Sequence, residues 1–286
     1  MINDISTILF TLKDIQYYAE PGSFLMAILL IFFTNFKKPN AERPLLNKLL
    51  LIGLSGWFLY SIMDIFLFEL AWVAIPQDAP LGIYTGYPIE YPKLMYANIM
   101  RDFAIFGAMM MNWTFMIAAF CIKFGEAKTE KIFTKNKWML VIIVISIVVV
   151  VIGDQVAVTI WENGGYSASA FTVGLGAIFI YIAIGFYILA AVFLIWNLYS
   201  ASKSQSDPQM RKALIILGLG ILFMGIGHSF WVIYSKIGAL YPDWASQTVN
   251  WLSMSLLGHF LWMLSPIFII VGILYGRKAN LQNSAI

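Results

Sequence analysis

The sequence predicts an all-α polytopic membrane protein with seven transmembrane helices, the N-terminus outside and the C-terminus cytoplasmic. Three observations carry that reading: little charge, long apolar runs, and basic residues concentrated in alternate connections. Of the 286 residues 60% are hydrophobic and only 12% charged, against roughly 45–50% and about 25% in soluble domains. Crossing the hydrocarbon core takes about 20 apolar residues. Apolar runs fall at Gly22–Phe36, Leu49–Ile75, Met95–Cys121, Trp138–Ile160, Phe171–Leu198, Ala213–Tyr234 and Ala245–Tyr275.

Before the first run, Ile5, Ile8, Leu9, Leu12 and Ile15 share one helical face. Residues 1–20 therefore read as a short amphipathic helix lying in the interface, with Pro21 in the first turn of the helix that follows. Residues 21–286 form the seven-helix domain. Asp4, Asp14 and Glu20, without a basic start, argue against a cleavable signal peptide.

Basic side chains set the orientation. The connection after the first run holds Lys37, Lys38, Arg43 and Lys48; the one after the third holds Lys123, Lys128, Lys131, Lys135 and Lys137. Lys203, Arg211 and Lys212 follow the fifth run, and Arg277 and Lys278 the seventh. The opposite side has Lys13, Lys93 and Lys236, with Arg101 inside a run. The chain is expected in the plasma (inner) membrane of a prokaryote, with the lipid bilayer as its medium and no nucleic-acid partner.

The second connection, IPQDAPLGIYTGYPIEYP, is rich in proline and tyrosine. It reads as a stiff extended loop, either a lid over the outer face or a passive connector. The second and sixth runs open alike, PLLNKLLLIGL from Pro44 and PQMRKALIILGL from Pro208. A Tyr-Pro pair also precedes the third and the seventh. Runs 1–3 and 5–7 then read as same-orientation repeats with run 4 as the link, and Asp64 and His228 stand equally far from the two opening prolines.

Ionisable groups at bilayer depth face a bundle interior or a water-filled cavity. Asp64 and Glu69 lie in run 2, Arg101 and Asp102 in run 3, and Asp154 in run 4, nearly all in the outer half. A pair between Arg101 and a carboxylate is the cheapest arrangement, because an unpaired buried charge costs far more. It reads either as a structural ion pair or as the wall of an outer pocket for a ligand or ion. Both histidines, His228 in GIGHSF and His259 in LLGHFLW, lie in apolar surroundings. They are expected to face the interior, since lipid offers an imidazole no partner. Three roles stand open: hydrogen bonding to Ser229, Ser253, Ser255 or each other; ligand binding or protonation; and paired ligation of a haem b, with Gly227 or Gly258 leaving room. The candidate ligand-binding set is therefore Asp64, Glu69, Arg101, Asp102, His228 and His259.

Other chemistry is excluded or unsupported. A retinal Schiff base needs a lysine within run 7, and none occurs between Lys236 and Lys278. Two histidines cannot supply a three-histidine zinc site, and the lone Cys121 allows no internal disulfide. No catalytic residues are assigned and no enzyme activity is expected. Asn112-Trp113-Thr114 reads as helix packing rather than a glycosylation site. Ala108–Met111 reads as packing surface or as a soft cavity wall. GLGILFMGIG reads as a helix with small residues for close approach.

An external N-terminus, a proline-broken seventh helix and the tail SPIFIIVGILYGRKANL together resemble the seven-helix sensor modules of microbial histidine kinases. In that family the seventh helix continues into a cytoplasmic signalling domain. The resemblance implies a receptor-like sensor or ligand-binding protein, with output through a cytoplasmic signalling partner. The alternatives are a small-solute or ion transporter built from 3+1+3 helices, a haem-binding redox subunit, and a subunit of a larger membrane complex.

Overall fold

A computed structural model describes residues 2–36, 44–74, 92–164, 170–240 and 248–283, every long element of which is helical. The helices are α1 (Ile2–Phe36), α2 (Leu45–Ala74), α3 (Pro92–Phe124), a single turn α4 (Glu126–Thr129), α5 (Lys137–Gly164), α6 (Ala170–Ser204), α7 (Pro208–Leu240) and α8 (Thr248–Asn283). Among the described residues, five stretches are long and apolar enough to cross a membrane: Leu45–Met63, Asp102–Phe124, Ile182–Ser204, Pro208–Gly227 and Leu256–Gly276. A sixth is formed if α5 is joined to the segment before it, which meets it at 66°. This is a helical membrane protein.

Two local features depart from expectation. Helix α1 does not break at Pro21 but runs through it. A proline inside a helix removes one N–H and crowds the preceding turn. Here the Ser23 hydroxyl donates to the Glu20 carbonyl at 2.7 Å, which adds a polar contact at the disturbed turn. Second, the basic connection after α3 is structured. Gly125, with φ +82°, ends α3; α4 follows, then a π-helical turn at Glu130–Thr134. Buried Thr129 and Phe133 hold this segment down. Glu126 then accepts a hydrogen bond from the Leu45 N–H at 2.8 Å. A carboxylate thereby serves a free donor at the N-terminus of α2, where the helix dipole favours negative charge.

Six helices close a ring in the order α1, α2, α3, α6, α7, α8 and back to α1, with α5 outside against α3 and α6. The neighbour pattern has a two-fold form. Exchanging α1, α2 and α3 for α6, α7 and α8 turns the α2–α3 contact into α7–α8, α1–α2 into α6–α7, and α1–α8 into α6–α3.

The closest approaches share that form. A Cβ at Gly56 would meet the Gly107 carbonyl at 2.5 Å and the Met111 nitrogen at 3.2 Å; one at Gly220 would meet the Ser265 carbonyl at 2.9 Å and the Ile269 nitrogen at 3.0 Å. Both glycines stand equally far from Pro44 and Pro208, and each touches residue i and residue i+4 of the next helix in its half. The buried stripes Phe24, Ala27, Ile31 of α1 and Tyr187, Ala190, Leu194 of α6 have the same spacing. In lipid, where apolar burial drives helices together only weakly, such small-residue contacts let backbones close and gain dispersion. The register they set pairs Asp64 with His228, as the opening prolines do. For the third helix, the glycine contacts set a different offset from the Tyr-Pro pairs.

The basic residues gather at one end. Leu45 is bonded to Glu126, the end of α6 meets the start of α7 at Leu198 and Gly218, and Gly276 of α8 lies beside Ala213. Lys48, Lys123, Lys128, Lys131, Lys135, Lys137, Lys203, Arg211 and Lys212 therefore lie at the same end of the bundle. Membrane-type exposure covers the outside: Trp138, Ile142, Val144 and Val149 of α5 and Leu189, Val192 and Trp196 of α6 are all exposed.

Candidate functional site

The α1 stripe continues one turn beyond Phe24, and the next residue on it is Glu20. Glu20 is only 3% exposed. It faces His259 of α8, 2% exposed, with Nδ1 and Oε2 2.6 Å apart. At that distance a proton lies between the two atoms, because two lone pairs would repel. The other carboxylate oxygen accepts a hydrogen bond from the Ser61 hydroxyl of α2 at 2.8 Å. Three helices thus converge on one buried acid. On the ~1.5 Å rise per residue, Glu20 and Ser61 lie about 24 Å from the basic ends of α1 and α2. They lie about 27 and 20 Å from the opposite ends on the same count, close to mid-length in both helices.

Beneath it, towards the basic end, is an aromatic floor. The His259 ring meets Trp262 edge-on, with centroids 5.0 Å apart. Trp57 touches Phe24, Tyr60, Tyr187 and Trp262, with centroids between 4.6 and 6.4 Å, so rings from α1, α2, α6 and α8 meet inside the bundle. Trp262 donates from Nε1 to the Met224 carbonyl of α7 at 3.2 Å. The site sets acid and imidazole in direct contact, with the indole of Trp262 packed against the imidazole.

Of the sequence-derived candidates, His259 is interior, as expected. Its bonding partner in this structure is the Glu20 carboxylate, whereas a hydroxyl had been expected. Asp102 is half-buried in α3. The side chains of Asp64, Glu69, Arg101 and His228 lie outside the described residues, as do those of Ser229, Ser253 and Ser255 and the whole connection from 75 to 91. The Arg101–carboxylate pair, the lid and a meeting of the two histidines therefore fall there too. Glu20 and Ser61 were not foreseen. The usable signal was the i, i+4, i+7, i+11 stripe of Glu20, Phe24, Ala27 and Ile31, which a boundary drawn at Pro21 cuts short.

Of the two proposed haem ligands, His228 has its side chain outside the described residues, so only the space beside the glycines can be described. The gap at Gly227 is filled, since a Cβ there would lie 2.6 Å from the Trp262 ring and 2.8 Å from the Gly258 carbonyl. The glycines beside the histidines bring α7 and α8 together and open no slot for a porphyrin. Among the described residues no three metal-ligating side chains cluster. Asn112 is buried and donates to the Ala183 carbonyl at 2.9 Å, a packing role. Met109 and Met111 are buried among the helices in the same way. No family model, curated protein or solved structure matches this chain.

Proposed function

We propose that this is a receptor-like membrane sensor that reads a small ligand from the outer side, inside the bundle, and signals through a partner at the basic, cytoplasmic end. In this reading α1 is also a span, giving seven, and the bilayer is a prokaryotic plasma membrane. The observation that carries it is the Glu20–His259 pair. Ionisable groups buried in a membrane bundle are expensive and mark functional positions. This pair bridges the first and last helices of the ring, and α8 runs from His259 through Pro266 to the basic end. A ligand that inserts between acid and imidazole releases α1 from α8 and lets α8 bend at the proline.

The test places an environment-sensitive fluorophore at exposed Leu274, as Leu274→Cys in a Cys121→Ser background, in nanodiscs. Adding small ligands is expected to change the emission. The change is expected to disappear in Glu20→Gln. A response that survives Glu20→Gln, or no response to any addition, overturns the reading.

A second reading, a transporter of 3+1+3 helices, is favoured by the two-fold exchange of neighbours, because transporter sites lie between repeats. Uptake of solute or protons into sealed liposomes, abolished by Glu20→Gln, selects it over the sensor.

A further inference from the structure

At the basic end, two lysines converge on one phenyl ring. Lys123 Nζ lies 5.2 Å from the centroid of Phe124 and 5.7 Å from that of Phe193, and Lys128 Nζ lies 4.6 Å from Phe124. Gly125 makes this possible. Its positive φ ends α3 and turns α4 back, so that Lys128 returns over the ring that Lys123 already flanks. The rings are fixed from below: Phe120 packs against Phe124, Phe133 and Phe193 at 5.1–5.5 Å. Two ammonium groups that share one ring concentrate positive charge there, which an anion would offset.

The local acids form no ion pair with either lysine among the described residues. Glu126 is turned to the Leu45 N–H, and Glu130 pairs with Lys135 at 2.8 Å. Neither Lys123 nor Lys128 has an ion pair among the described residues. Both are exposed, and Phe124 is 39% exposed between them. The notch lies where the apolar stretch of α3 ends, at Phe124, which is headgroup depth. The exposed indole of Trp138 and the Tyr199 ring under Lys203 mark the same level, as aromatic belts do at membrane interfaces.

From this geometry we infer that Lys123, Lys128 and Phe124 form a binding site for the phosphate of an anionic phospholipid. The ammonium groups face the phosphate, the ring carries their other side by cation–π attraction, and the acyl chains lie along the exposed flanks of α3 and α6. The inference needs only the membrane assignment and stands whether or not the sensor reading holds.

The test is native mass spectrometry of the full chain released from nanodiscs of equal phosphatidylglycerol and phosphatidylcholine. The expected spectrum retains one phosphatidylglycerol in preference to phosphatidylcholine. Lys123→Gln/Lys128→Gln should weaken retention about 30-fold, the loss expected for two lysines near an anionic surface. Lys123→Arg/Lys128→Arg should keep it, and the control Lys131→Gln/Lys137→Gln, with the same charge loss, should leave it unchanged. An equal loss in the control means diffuse surface charge and overturns the site. Displacement by millimolar inorganic phosphate means a free-anion site and overturns the lipid assignment, as does retention of both lipids alike.

Discussion

The two halves of the ring, α1–α3 and α6–α8, solve the same packing problem with different chemistry. Each brings its second helix onto its third with a glycine at the matching position, Gly56 or Gly220, and each presents a small residue, Ala27 or Ala190, in the middle of the buried stripe on its first helix. Only one half carries a buried acid on that stripe. Glu20 in α1 corresponds to Ala183 in α6, the residue one turn before Tyr187. By the glycine register, His259 of α8 corresponds to Arg101 of α3, and Ser61 of α2 to Gly225 of α7. Packing is duplicated while polarity is not. The difference teaches that the glycine contacts are what a ring of this shape requires, whereas the acid–imidazole pair is an addition to it.

The largest expected effect breaks that asymmetry. Glu20→Ala leaves a buried imidazole without its carboxylate and should cost about 3–5 kcal/mol, the usual penalty for removing one member of a buried pair. Ala183→Ser at the equivalent place should cost under about 1 kcal/mol, being a small change without a lost partner. A double-mutant cycle of Glu20→Ala with His259→Ala, read by detergent-denaturant unfolding, should be strongly non-additive. Additive losses would show that the two residues stabilise the protein separately.

Next in size is the shared packing. Gly56→Ala and Gly220→Ala each force a Cβ against backbone, which cannot swing aside as a side-chain tip can. Overpacking of this kind costs roughly 1–3 kcal/mol, and the two variants should lose stability by similar amounts. A large loss in one with none in the other would break the proposed register between halves.

The smallest effect lies outside both halves, in the segment after α3. The Lys135 ammonium, hydrogen-bonded to Glu130 and charge-paired with it, holds that carboxyl below its ordinary value. A lowered carboxyl adds stability that is present above its unfolded value and is lost as pH falls through its folded value. The pair is solvent-exposed, so Glu130→Gln should leave the unfolding midpoint at neutral pH almost unchanged. It should remove only a slight acid-side slope. A marked destabilisation would mean that the π turn depends on this pair and not on buried Thr129 and Phe133.

Much of this architecture can be read in the residues. Apolar runs give spans because lipid leaves the backbone no partner but its own helix, and the openings at Pro44 and Pro208 announce the matched second helices. GLGILFMGIG signals a close contact, and α8 fills it. The α4 and π-turn segment is harder to read, since its basic, polar composition is that of a loop; its form depends on Thr129 and Phe133 finding cover from other helices. Glu20 was hidden for a different reason. A proline next to it suggests a helix start, but a surrounding bundle can hold a helix through a proline. His259 was legible as an interior residue. Its partner was not, because nothing in local spacing relates residues 239 positions apart.

That separation has a consequence for how the protein is made. Of the six helices of the ring, the one carrying Glu20 leaves the ribosome first and the one carrying His259 last. At roughly 5–20 residues per second, the acid waits about 10 to 50 seconds for its imidazole. During that interval α1 has neither its partner on α8 nor, at first, the Ser61 hydroxyl. Its place in the bilayer stays provisional until α8 has been made. A nascent chain arrested after α7 should therefore leave α1 open to extraction and proteolysis, while one extended through α8 holds it. The same contact that links the two ends of the ring also certifies that the ring has closed.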